Sequence, residues 1–410
     1  MRVRTTKTIV LKDAATICTG ALVWWAFGYP FALGDGKEDS FIGSGDFFSY
    51  RNDYEAGFFS KWLFQWTFAA VAAAIVSGAV AERCRFSAYL VYTVVLTGLI
   101  YPVVVHWAWS DGGWLSSKDE DYLEDRSGKF LNPEMGANGL IDFAGSGVVH
   151  MVGGGVALMG AVTLGPRLGR FDRDGRPTDA EGHSSVLALM GTLMLWFGWY
   201  GMAPVSTWRW GAMQLAEKVA ANITLSAASG GMSSLLLARG AGEPNDLPLM
   251  LNGILAGLVS IAGPCAVVEP YAAVIIGILG GLVYYGAHHL LLKLKIDDPL
   301  DASAVHFFCG AWGLIAAGLF ATEAGVTLGE FADSEHFGAF YGGGGEQLGV
   351  QCVGLAAIAG WTLVTSGILF AGLKTMGMLR LPPDEEISGL DHPSSGAIDF
   401  NAVMPTGGAK

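Results

Sequence analysis

Charge is scarce in this chain of 410 residues: Asp, Glu, Lys and Arg make up 15% of it, against 52% hydrophobic residues. Soluble domains carry about 25% charged residues, so an ordinary water-facing surface cannot be built from this composition. Cysteine is scarce too. Cys18, Cys84, Cys265, Cys309 and Cys352 lie in or beside apolar runs without CxxC spacing, which argues against a zinc site or a disulfide framework. The chain has no HExxH or similar metal-ligand cluster and no nucleophile motif, so an enzyme working by acid–base chemistry lacks its usual parts. No carbonyl-ring or carboxylate-ring filter motif suggests a potassium or sodium channel. A formal net charge of −13 gives no footprint for nucleic acid. The opening MRVRTTKTIVLKDAA has no small-residue cleavage site after a short apolar run, so no signal peptide is expected.

What the chain has in quantity is long apolar runs. AATICTGALVWWAFGYPFALG, SAYLVYTVVLTGLIYPVVV, YAAVIIGILGGLVYYG and LAAIAGWTLVTSGILFAGL each approach the ~20 residues that cross a bilayer core. Ten spans are expected, at about 12–33, 58–80, 86–108, 141–165, 184–206, 213–238, 247–265, 268–292, 302–322 and 346–377. The expected fold class is therefore an all-α polytopic membrane protein. The runs are too long and too little alternating for a barrel. Basic residues gather at the N-terminus, in AERCR, in PRLGRFDRDGRP, in KLK and after the last span, while the intervening loops are acidic. That alternation predicts both termini on the cytoplasmic side. The acidic outer loops keep the protein solvated and can also gather cations at an entrance.

Two stretches interrupt the apolar pattern, IDFAGSGVVHMVGG at 141–154 and DDPLDASAVHFFCGAWG at 297–313. Aligned on His150 and His306, they share an aspartate eight residues earlier (Asp142, Asp298), a preceding valine, a glycine at plus four (Gly154, Gly310) and a leucine at plus eight. By the charge rule the two segments cross in opposite senses, the mark of an inverted-repeat transporter with its site near the midplane. Eight helical residues advance about 12 Å, so both histidines reach the middle of the bilayer. The aspartates are expected to cap helix N-termini, with Pro299 suited to the first turn. Ionisable groups at such depth are costly and normally functional, and imidazole holds or passes a proton near neutral pH. His106, His288 and His289 lie near span ends and are expected to be interfacial or packing residues.

At these two motifs the chain resembles the ammonium transporter (Amt/Rh) family, on its Amt side, and the resemblance runs from about residue 4 to residue 400. FQWTFAAVAAAIVSGAVAERCRFSAYLVY and HWAWSDGGWL are similar to that family's neighbouring spans. The resemblance implies an inverted-repeat bundle of the Amt/Rh fold, with repeats at roughly 12–206 and 213–377. It further implies a transmembrane domain over 1–380, a cytoplasmic tail over 381–410 and a homotrimer with one pore per protomer. Phe68 would be a gate ring, Trp109 an aromatic wall of an outer vestibule and Ser206 a hydroxyl acceptor for ammonium. Asp142 would be a buried supporting carboxylate, His150 and His306 the pore-lining pair, and Trp199 a flank of the pore. No cofactor is implied. The partners implied are ammonium or ammonia, the bilayer (by default the plasma membrane) and a cytoplasmic regulator reading the tail.

The chain also departs from that pattern. GWYGMAPVS at 198–206 puts Met202 where the family carries a second gate ring and Ala203 where it carries an asparagine, and Ala262 stands at a common threonine position. Members normally have eleven spans, and the first run here is similar to their second. These departures keep a second reading in view, a sensor that binds ammonium and conducts poorly. GILAG at 253–257 and GILGG at 277–281 place glycines four apart, which favours close helix approach.

Overall fold

The structure, a computed structural model, describes residues 5–391 apart from 35–39, 51–53, 55, 118–138, 179–181, 208–212, 244–246, 330 and 332–335. Ten long helices stand among the described residues. They are α1 Thr6–Leu33, α2 Phe58–Val80, α3 Phe86–Trp109, α4 Ser146–Leu164, α5 Ser185–Ser206, α6 Met213–Gly240, α7 Leu247–Ala262, α8 Pro270–Lys293, α9 Ser303–Phe320 and α10 Glu346–Thr375. No strand occurs among the described residues beyond two isolated bridges, Cys84 with Arg380 and Phe171 with Pro177. In lipid every backbone polar group must be satisfied within the chain, which leaves helices as the form these runs adopt.

Eight of the ten are both long and apolar enough to cross a membrane. The other two differ for separate reasons. Helix α6 is 28 residues long but carries Asn222, Ser226, Ser229, Ser233 and Ser234. Its polar groups face protein: Asn222 Nδ2 donates to the carbonyls of Cys265 and Val268, both at 2.9 Å, and Ser226 Oγ donates to Gly257 O at 2.8 Å. Helix α7 is apolar but only 16 residues long, most of them buried between its neighbours. The spaced glycines serve this sheaf. A side chain at Gly257 would strike Ser226, and one at Gly281 would strike Ser233 and Gly230.

Among the described residues, four turns are widened to π geometry: Trp24–Gly28, Leu96–Ile100, Ser146–Met151 and Ser303–Phe308. The first two lie just before Pro30 and Pro102, whose rings crowd the preceding turn and lack an N–H. The other two hold His150 and His306 and have no proline to explain them. π turns concentrate at functional sites.

One end of the bundle is held by arginines. Arg83, beyond α2, donates to the carbonyls of Gly165 at 2.8 Å and Asp297 at 2.6 Å. Arg167, beyond α4, grips both carboxylate oxygens of Asp297 at 2.8 and 3.0 Å and meets Glu82 at 3.1 Å. Arg380, beyond α10, donates to Leu164 O at 2.8 Å and pairs with Glu386 at 3.0 Å. Asp391 accepts from the backbone N–H groups of Lys7 and Thr8, both at 2.9 Å, and so ties the last described residue to the start of α1. Helix α4 therefore ends, and α9 begins, at this same face. The two helices run in opposite senses.

The carboxylates of Asp297 and Asp298 differ although they adjoin. Burial alone would push Asp297 up, but the Arg167 hydrogen bonds and the charges of Arg167 and Arg83 outweigh it and hold Asp297 below the usual carboxylate value. No arginine hydrogen bond to Asp298 is seen among the described residues, and burial dominates there. Burial, then repulsion from Asp301, pushes it up to about 6, with the Ser303 N–H offsetting only part of this.

Candidate functional site

The π turns of α4 and α9 meet at the histidines. His150 Nδ1 lies 3.3 Å from His306 Nδ1, with ring centroids 5.3 Å apart. Trp199 of α5 also stacks on His150, at 5.2 Å and an interplanar angle of 10°. His150 is wholly buried, and His306 is half-buried. Two nitrogens at this separation share one proton, so one ring donates while the other accepts. His150 Nε2 is buried with no partner among the described residues.

Helices pack this closely because each plus-four glycine sits on the backbone of the opposite π turn. A side chain at Gly154 would collide with the N–H of Phe307, the residue after His306; one at Gly310 would collide with Ser146 O and reach Met151 N, the residue after His150. The phenylalanine ring of Phe307 lies against Gly155. The repeat noted in the sequence is therefore a crossing in which each helix makes room for the other's histidine turn.

Both aspartates cap their helices. Asp142 Oδ2 accepts from the N–H groups of Gly147 at 3.0 Å and Val148 at 2.8 Å, and Asp298 Oδ2 accepts from that of Ser303 at 2.6 Å. The helices begin later than expected, at Ser146 and Ser303, because the residues after each aspartate form an entry turn rather than helix. In α4 that turn passes through Gly145 at φ +94, whose carbonyl accepts from both Val149 and His150, each at 3.0 Å.

Toward the end away from the arginines, Trp109 closes over this turn. Its Nε1 donates to Asp142 O at 2.8 Å, and its ring stands 5.4 Å from Phe68, which in turn meets Phe64 at 5.0 Å. Met202 packs half-buried against the apolar cluster that holds Phe68 and Trp109. Ser206 lies one turn further along α5 and donates to Met202 O at 3.0 Å, which leaves its oxygen lone pairs to accept. The neighbouring residues 208–212 lie outside the described residues.

The sequence profile of the Ammonium Transporter Family matches residues 1–399. This chain belongs to that family. It is 40% identical to ammonium transporter 1 member 2 of Arabidopsis thaliana over 98% of this chain and 78% of the relative. It is 39% identical to ammonium transporter 1 member 3 of Solanum lycopersicum over 100% of this chain and 89% of the relative. Among solved structures it is similar to a sensor Amt protein, with a TM-score of 0.82 and 31% identity over 96% of this chain and 91% of that one. Its similarity to Mep2 of Saccharomyces cerevisiae has a TM-score of 0.76 at 27% identity, over 92% of this chain and 79% of that one. A member of the ammonium transporter family, this multi-pass membrane protein belongs with transporters and not with enzymes.

Sequence reasoning missed part of this family member's site. Gln351 of α10 accepts from Ile141 N at 2.8 Å and donates to Ile141 O at 2.8 Å and Leu314 O at 3.0 Å, clamping the lead into α4 against α9. Gln347, one turn earlier, donates to Gly139 O at 2.9 Å. The signal was present: EQLGVQ places two glutamines four apart in an apolar helix, where burial demands partners. His288, expected to be packing or interfacial, has its Nδ1 2.9 Å from Asp301 Oδ1, a partner the sequence did not single out. His106 is held between Ser40 Oγ at 2.9 Å and Ala32 O at 3.2 Å, a fixed structural histidine.

Proposed function

We propose that this chain moves ammonium across the plasma membrane by binding the cation at Trp109 and Ser206, removing its proton, passing ammonia through the apolar pore and relaying the proton along the His150–His306 pair, so that one charge crosses with each ammonia. The observation that carries the reading is the 3.3 Å contact between two imidazole nitrogens where oppositely directed helices cross. Aromatic faces at Phe68 and Trp109 attract a small cation by about 0.5–2 kcal/mol, and a serine oxygen accepts an N–H bond. An apolar constriction then excludes a bare cation and admits a neutral molecule. Potassium, with no proton to give, is rejected at that step. Met202, packed against the cluster that includes Phe68, makes a softer gate than a second ring, and Trp199 holds His150 in plane. The buried His150 Nε2 is the atom left to meet the passing molecule.

On the family resemblance the working unit is a homotrimer of two-repeat protomers, with a cytoplasmic regulator at the tail; the described start of that tail is docked through Glu386 and Asp391. Helix α5 fits an assembly, since over Ser185–Met202 it buries only Thr192 and Trp199 within one chain. The test is the reconstituted protein in liposomes. Ammonium pulses should evoke a current that equal potassium pulses do not, and His150→Ala should weaken it by at least about tenfold. Equal responses to both ions would overturn the reading. A second reading, an ammonium sensor, is supported by the similarity to a sensor Amt protein and by Met202 and Ala203 in place of the family's residues. Saturable ammonium binding without current, from well-folded protein, would select it.

A further inference from the structure

The position five residues before each histidine turns the chain left-handed, at φ +94 for Gly145 and φ +56 for Asp301. Glycine adopts that conformation freely. Aspartate holds it only where its surroundings over-determine it, and such places cluster at functional sites. Asp301 is held by three side chains from two other helices. Its Oδ1 lies 2.9 Å from His288 Nδ1, and its Oδ2 accepts from the Tyr284 hydroxyl at 2.9 Å and from Asn252 Nδ2 at 3.3 Å. Its carbonyl accepts at 2.9 Å from Val305 N, the residue before His306. A histidine on α8 is thus joined through one carboxylate to the backbone that aims His306.

His288 lies at the arginine end and lines a cavity of about 280 Å³ with Arg167, Arg170, Asp297, Asp298 and Asp301. Arg167 is committed to Asp297 and Glu82, and Arg170 lies 3.5 Å from Asp297. On its own helix His288 faces His289 at 5.1 Å and Tyr284 at 6.2 Å, and His289 Nε2 lies 3.4 Å from Glu243. The group directly opposite it is Asp301.

We propose that His288 is a positioning residue for transport, coupling proton availability at the arginine-bearing face, through Asp301, to the turn that presents His306 to His150. This rests on the transport reading above. A charged imidazole holds the Asp301 carboxylate by a charge-assisted bond, whereas a neutral one keeps a weaker bond. Losing the proton slackens the one left-handed turn of the site that glycine does not relieve.

The experiment uses the full chain in liposomes oriented with the arginine face inside, at fixed outside pH, with ammonium-evoked current read as inside pH is stepped. Wild-type current should fall on the order of threefold to fivefold as inside pH rises through the histidine range. His288→Gln should be flat, and His288→Lys, which keeps a cation opposite Asp301, should hold the higher current throughout. In parallel, ¹⁵N-histidine NMR should show the His306 resonance following the titration of His288 in wild type and not in His288→Gln. A His288→Gln protein with the wild-type pH profile and an unchanged His306 titration overturns the inference, as does a wild type indifferent to inside pH by both readouts. A His306 resonance that follows His288 in a protein carrying no ammonium current would instead remove the transport reading and leave the coupling standing.

Discussion

Helices α4 and α9 solve one problem with different parts. Each must enter the bundle, turn left-handed, widen into a π turn and deliver a histidine to the centre. In α4 the lead at Ile141 is clamped by Gln351 and the turn is made by Gly145, so nothing in it carries charge except the capping Asp142. In α9 the lead at Asp297 is clamped by Arg167, the cap is Asp298 and the turn is Asp301, three carboxylates in five residues. The first entrance carries one carboxylate, and the second carries three, one of them set against His288. Internal pseudo-symmetry here conserves backbone path and not electrostatics.

The comparison breaks most severely at the crossing. Gly154→Leu and Gly310→Leu should each destabilise by more than about 3 kcal/mol, because the added atoms meet backbone that cannot move aside. Size-exclusion profiles and thermal melts should show little folded protein; tolerance of either would mean that the helices do not cross this closely.

The two clamps come next. Asp297→Asn should cost roughly 3 kcal/mol near neutral pH by leaving a buried arginine short of its partner. Asp297 sits below its ordinary value in the folded protein, so its contribution is present above the unfolded carboxylate's value and is lost as pH falls through the folded one. The gap between wild type and variant in melting temperature should therefore close on acidification. Gln351→Leu should cost about 2–3 kcal/mol by orphaning buried backbone groups of Ile141, with a gap that does not change with pH. A pH-dependent gap for Gln351→Leu would erase the distinction between the entrances.

Exchanging the turn residues gives a smaller effect. Gly145→Asp should cost about 1–3 kcal/mol from left-handed strain and from collision with Val149, and Asp301→Gly about 1–2 kcal/mol from lost bonds. Melting temperatures in the reverse order would show that Asp301 is the more strained of the two. The smallest change is Asp298→Asn. The folded protein takes up a proton on Asp298 between the unfolded value and about 6, so stability declines as pH rises across that window and is level above it. Asn keeps an accepting oxygen for Ser303 and should gain at most about 1 kcal/mol at pH 7.5, with no gain at pH 4.

The spans were legible because lipid leaves few alternatives to an apolar helix, and the histidine pair was legible because a rare ionisable residue recurs in matching surroundings. Helix α6 was legible by its length, although its serines conceal its burial. Less was readable at the site itself. Gly154 and Gly310 were visible as a coincidence of spacing, but their purpose depends on Phe307 and Met151, which are far away in the chain. Asp301 looks like one more loop acid until its φ is known. The neighbourhood of Phe68 and Trp109 came from family resemblance alone, since a single aromatic in an apolar run is as well suited to lipid as to a vestibule. The contact of His288 was not readable because its partner, Asp301, lies in the entry turn of α9 and not on its own helix.

The crossing also has a consequence in time. The ribosome completes His150 well before His306, which follows 156 residues later. At about 5–20 residues per second, roughly 8–30 s separate them. Through that interval α4 has its aspartate, its imidazole and its groove of glycines, and the helix that fills the groove does not yet exist. A newly made chain must therefore be sheltered, by the insertion machinery or by its own earlier helices, until the second histidine arrives to meet the first.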